Sequence, residues 1–154
     1  MPDKDIVLAK TDAIQKCLKR IKKVTRLNPD TLDDINTQDI FILNLQRAVQ
    51  STIDLATHIV ASEGLGVSDT IKGNFDVLEK AGIIDKKLSK KMQAMTGFRN
   101  IAIHDYQIIN LEILKTILVK HLKDIEDFYT KILLHFKFVK QNHFRRILRK
   151  KGRP

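Results

Sequence analysis

The sequence predicts an all-α fold, a helical bundle of about five helices. Helix breakers are scarce, with three Pro and six Gly in 154 residues. Apolar side chains, chiefly Ile, Leu and Val, return at steps of three and four over long stretches. No segment alternates with the period of a strand, and no internal repeat is visible. The length suits one domain able to bury its own core.

A first helix is expected from about Lys4 to Arg26, with Ile14, Leu18, Ile21 and Cys17 on its buried stripe. Asn28-Pro29-Asp30 breaks it, because the proline ring disfavours helical geometry in the residue before it. A second helix is expected to start near Asn36, whose side chain can cap free amides, with Asp39 favourable in the first turn. Phe41, Leu45, Ala48, Val49, Thr52, Ala56 and Ile59 form its core face, and Gly64-Leu65-Gly66 ends it. A shorter helix follows from about Thr70 to Lys80, stopped by Ala81-Gly82. The next covers roughly Asp85 to Phe98, with Leu88, Met92, Met95 and Phe98 inward.

Asn110 reads as the cap of a long last helix, in which Leu111, Leu114, Leu118, Leu122, Ile125, Tyr129, Ile132 and Phe136 make a near-heptad seam. That seam suits an intramolecular bundle or a dimer. Continued to Lys150, the helix would span about 60 Å and project beyond a domain whose radius of gyration is near 15 Å. Its far end keeps Phe144, Ile147 and Leu148 among arginines.

Charge divides the chain at the same place. The net charge is +10, yet Lys137 to Pro154 holds eight Lys/Arg and no acid, leaving 20 basic against 18 acidic residues elsewhere. The expected organisation is a helical domain over 1–136 and a basic C-terminal helical extension over 137–154. Such an extension is either solvated or a contact for a phosphate backbone or a partner; it carries no sequence specificity by itself.

Other classes are excluded or left without support. Cys17 is the single cysteine, so no internal disulfide forms, and no Cys/His cluster has zinc-ligand spacing. His121, His135 and His143 build no convincing metal site. The N-terminal MPDKDIVLAK is charged where a secretory signal is apolar, and no apolar run approaches the roughly 20 residues of a membrane span. The expectation is a cytoplasmic protein with no membrane association, no metal and no cofactor.

The chemistry gathers in R-N-I-A-I-H-D-Y, residues 99–106. In an unbroken helix Arg99 and His104 stand about 140° apart, so they converge only if the helix ends or bends between them. Gly97 upstream and Asn110 downstream make a junction plausible. A histidine near a helix junction is usually structural, and a tyrosine such as Tyr106 is usually a packed ring with a wet hydroxyl. The functional alternative is coherent. Histidine moves protons near neutrality, and arginine presents a forked donor set to phosphate oxygens. Together they are a minimum kit for metal-free transesterification of RNA.

These residues resemble a known signature. Arg99 and His104 fit the R-x4-6-H pattern of the HEPN superfamily. With Asn100 and Tyr106 they match the narrower R-N-x3-H-x-Y form of HepT-like toxins, the HEPN partners of minimal nucleotidyltransferase (MNT) antitoxins. Leu45-Gln46-Arg47-Ala48-Val49, then Ile53-Asp54-Leu55-Ala56 and His58, is similar to the family's second helix, and the resemblance covers roughly residues 5 to 135. It implies a HEPN-like bundle and a metal-independent endoribonuclease that works as a homodimer, Arg and His from both protomers meeting in one cleft. Arg99 would bind the scissile phosphate, with Asn100 in support, and His104 would be the general acid/base. Tyr106 would be the acceptor of AMP units from the MNT-type nucleotidyltransferase antitoxin, an electrostatic off-switch. Asp54 shares a polar stripe of about 80° with Asn44, Arg47, Ser51 and His58, and would orient Arg99 or His104 if that stripe faces the motif.

The implied function is the toxin of a type VII-like toxin–antitoxin system, with tRNA and mRNA both open as substrate. The rival is a non-catalytic helical module that binds a nucleotidyltransferase or nucleic acid through the same surface.

Overall fold

The computed structural model describes residues 1–66, 68–104 and 110–138, with residues 101–104 as backbone only. Among the described residues there is no strand. Helix α1 (Lys4–Thr25) begins at Asp3, whose carboxylate accepts from the amides of Asp5 and Ile6. It ends as Arg26 enters the left-handed region at φ 52°. Val7, Ile14, Leu18 and Ile21 are buried along it, whereas Cys17 is only partly covered. A 3-10 turn (Pro29–Asp33), capped by the Asn28 side chain, plugs Leu32 into the core.

Helix α2 (Ile35–Ser62) is the central rod, its 28 residues about 42 Å long. It packs chiefly along α1 and also touches every other long helix. The expected core face is buried throughout, from Phe41 to Ile59. The cap, however, is Asp34 and not Asn36: Asp34 Oδ2 accepts from the Thr37 amide at 3.0 Å and its hydroxyl at 2.9 Å. The preceding 3-10 turn delivers Asp34 in extended geometry, φ −78° and ψ 123°, which leaves Asn36 already inside the first turn and Asp39 beyond it.

Helix α3 (Ile71–Lys80) starts on Thr70, whose hydroxyl accepts from the Gly73 amide, and stops where Gly82 turns at φ 76°. Asp85 caps α4 (Lys86–His104) by accepting from the Leu88 amide at 2.7 Å. Leu88, Met92, Met95 and Phe98 are buried as expected. The helix does not end at Phe98: it runs on through the motif to His104. Gly97 sits inside it with no left-handed turn, and neither Gly nor Pro follows to stop it.

The last rod is interrupted and then closed. Asn110 Oδ1 accepts from the Glu112 amide at 2.7 Å and starts α5 (Leu111–Thr116). A π-helical turn (Ile117–His121) leads directly into α6 (Leu122–His135). The near-heptad seam is spent within the chain: from Leu114 to Phe136 all its members are buried, and Leu111 packs against the core. The helix ends at His135 and does not run on unbroken through Lys137. Lys137 turns left-handed at φ 57°, and the Phe138 amide reaches back to the Leu133 carbonyl at 2.9 Å. That is a Schellman stop. Residues 139–154, which carry most of the basic extension, lie outside the described residues.

Phe75 of α3 and Phe128 of α6 meet edge to face at 5.5 Å in the centre of the bundle. Among the described residues no helix is long and apolar enough to cross a membrane.

Candidate active site

Arg99 leaves α4 toward α2. Its Nε–H donates to Gln50 Oε1 at 2.9 Å, and Nη1 donates to Asn100 Oδ1 at 3.2 Å. Neither donor of Nη2 has a partner among the described residues. The arginine is half-buried and Asn100 exposed, so the guanidinium is anchored at Nε on its inner side and at Nη1 near the surface.

Gln50 is itself held. Its Nε2 donates to Asp54 Oδ1 at 2.9 Å, one turn further along α2. Lys10 of α1 donates to the other oxygen, Asp54 Oδ2, at 3.3 Å. The result is a line of four side chains from three helices: Lys10, Asp54, Gln50, Arg99. Asp54 therefore reaches Arg99 through an intermediary and not by direct contact. Gln50 is the residue that sequence reasoning missed, though its i, i+4 spacing to Asp54 was a usable signal.

The rest of the polar stripe on α2 separates into different jobs. Asn44 is buried and donates to the Ile40 carbonyl at 2.8 Å, a structural bond. His58 Nε2 accepts from the Asp3 amide at 3.3 Å, at the start of α1. Arg47 is exposed.

His104 is the last residue of α4, and its side chain is outside the described residues; so is all of Tyr106. Because α4 is continuous from Arg99 to His104, the two positions stand about 140° apart around its axis. The helix end that would have let one chain bring them together does not fall between them.

A second polar group lies elsewhere on α4. Asp124 of α6 is 1% exposed, with Lys91 Nζ 3.3 Å from Oδ1 and His121 Nδ1 2.9 Å from Oδ2. It flanks an apolar cavity of about 720 Å³ between α4 and α5, lined by Met95, Phe98, Ile113 and Ile117. Arg99 is not among its walls. Among the described residues no three His, Cys, Asp or Glu side chains gather as metal ligands would.

Known proteins are similar to this chain in sequence and fold. The family model described as HepT-like ribonuclease matches residues 14–132. The mRNA nuclease HepT of Shewanella oneidensis is 39% identical over 124 residues, covering 80% of this chain and 93% of that protein. The tRNA nuclease HepT of Aphanizomenon flos-aquae is 29% identical over 106 residues, 68% of this chain and 72% of that one. Among solved structures, the tri-AMPylated Shewanella oneidensis HEPN toxin in complex with MNT antitoxin superposes with a TM-score of 0.78 at 38% identity, covering 83% of this chain and 96% of the other.

Proposed function

Since this chain belongs to the HepT-like ribonuclease family, we propose that it is the toxin of a toxin–antitoxin pair and cleaves RNA without metal through Arg99 and His104. In the reaction, His104 takes the proton of a ribose 2′-OH as that oxygen bonds to phosphorus. The bond from phosphorus to the 5′-oxygen breaks, and the leaving oxygen is protonated by a histidine. Arg99 stabilises the charge gathering on the non-bridging oxygens with the donors not used by Gln50 and Asn100. Products are a 2′,3′-cyclic phosphate and a 5′-hydroxyl.

The observation that carries this reading is the state of Arg99: a guanidinium fixed at Nε by Gln50 and at Nη1 by Asn100, with no partner at Nη2 among the described residues. The 140° separation on a continuous helix supports a shared site, in which His104 of a second copy works with Arg99 of the first. The active unit is then a homodimer in the cytoplasm, and its substrate is tRNA or mRNA.

Neutralisation follows from charge. An MNT-type nucleotidyltransferase adds AMP units to Tyr106, two residues from His104, and their phosphates repel RNA from the cleft. The domain over 1–136 performs the chemistry, and the extension over 137–154 adds phosphate-backbone affinity. The family match, which ends at residue 132, supports that division.

Purified, unmodified protein should cleave RNA in the presence of chelator and leave cyclic phosphate ends. Arg99→Ala and His104→Ala variants that cleave as well as wild type would refute the assignment.

A further inference from the structure

We infer that Gln50 is a positioning residue for the cleavage reaction: it holds Arg99 through a neutral acceptor, so the guanidinium is fixed without its charge being cancelled. This deepens the reading above and rests on it. Nothing in the motif R-N-x3-H-x-Y points to Gln50, which lies 49 residues upstream of Arg99 on a different helix.

The chemistry of the line leaves one arrangement. A guanidinium only donates and an ionised carboxylate only accepts. A group between them must accept on one side and donate on the other. The glutamine amide does both, so Oε1 faces Arg99 and Nε2 faces Asp54, as the two 2.9 Å contacts have it. Its orientation is set by its neighbours. Asp54 is fixed in turn by Lys10 at 3.3 Å, which offsets its charge.

A carboxylate in the place of Gln50 would hold Arg99 at least as firmly. It would also form an ion pair, and a paired arginine is a weaker electrostatic partner for a phosphate that is gaining charge. Contact at Nε has a second consequence. The fork of the guanidinium suited to bidentate phosphate binding includes Nη2, which has no partner among the described residues. Lys10, Asp54 and Gln50 together thus orient one cation while contributing almost no net charge beside it.

The test uses the full chain with two variants of nearly constant shape. Gln50→Met removes the tether; Gln50→Glu keeps an acceptor at Nε but makes it a charge, set against Asp54. Both are expected to fold with thermal midpoints near wild type, and each to lower cleavage about ten- to a hundredfold. For Gln50→Glu the rate relative to wild type should rise as pH falls toward 5, because protonation restores a neutral group, its reference pKa being about 4.3. A merely structural role gives no such recovery. Either folded variant cleaving within twofold of wild type overturns the proposal, as does a Gln50→Glu ratio flat with pH.

A readout independent of activity separates this proposal from the functional reading. In ¹⁵N NMR the Arg99 Nε–H should give a resolved signal slow to exchange, lost in Gln50→Met. An unprotected Nε–H in the wild type refutes the tether even if RNA is cleaved. A protected Nε–H in a protein that cleaves no RNA upholds the tether and sinks the ribonuclease reading instead.

Discussion

Lys91 reaches across from α4 to set its ammonium 3.3 Å from Asp124 Oδ1, and Asp124 is 1% exposed. That oxygen accepts no directed hydrogen bond among the described residues, so the lysine charge is its compensation there. Removing Lys91 leaves that oxygen uncompensated, while His121 still holds Oδ2. Lys91→Met is therefore expected to destabilise the protein by about 2–3 kcal/mol, below the full cost of a buried pair because the Lys91 side chain is 34% exposed. Urea denaturation of the two proteins measures it. RNA cleavage per folded molecule should change little, since Arg99 is held by different residues.

Arg99→Lys tests whether the arginine acts by charge alone. Lysine keeps one positive charge but has no Nε–H to give Gln50 and no fork for a phosphate. The expected outcome is a single-turnover cleavage rate lowered about tenfold or more, with RNA affinity falling much less. Equal rates for the two proteins would show that Arg99 is only a point charge.

The helices were legible because burial writes itself at steps of three and four. Ile14, Leu18 and Ile21 on α1, and Phe41 through Ile59 on α2, lie on the faces their spacing indicates. Ends were harder to read. Asp34 and Asn36 are both good caps two residues apart, and the choice between them depended on where the 3-10 turn released the chain. Gly97 carries the composition of a stop but adopts helical geometry, so α4 outran its expected end by six residues, from Phe98 to His104. The partner of Arg99 was hidden for a different reason. Gln50 meets it only because α2 and α4 pack together, and no local pattern encodes that meeting.

Asp34 makes the stability of the fold sensitive to acid. The Thr37 amide, and then its hydroxyl, hold the Asp34 carboxyl below its ordinary value. A carboxyl lowered on folding contributes stability above its unfolded pKa of about 3.9, and that contribution is lost as pH falls through the lowered value. Asp34→Asn keeps a capping oxygen without the titration. Its thermal midpoint should therefore vary less with pH than that of wild type below about pH 4. Asn36→Ala should leave the midpoint almost unchanged at every pH, since Asn36 is not the cap.

Modification at Tyr106 predicts a mass signature. Co-expression with the partner nucleotidyltransferase should add mass in units of AMP and abolish cleavage, and the Tyr106→Phe protein should gain none and stay active. Intact-protein mass spectrometry with a cleavage assay on the same sample decides it. Full neutralisation with unchanged mass would mean that the partner inhibits by covering the cleft.

Helix α6 is closed by the left-handed Lys137 and the Phe138 to Leu133 bond, ahead of residues 139–154. Deleting residues 139–154 should leave the thermal midpoint in place. It also takes away seven Lys/Arg and no acidic residue. Each phosphate neutralised on single-stranded RNA contributes about 0.7 to the slope of log affinity against log salt. If the extension lies along the backbone, the truncated protein binds RNA more weakly at low salt and with a shallower slope. The cleavage rate at saturating RNA stays near wild type, since Arg99 and its tether are intact. An unchanged slope would place the extension off the RNA and return it to solvent.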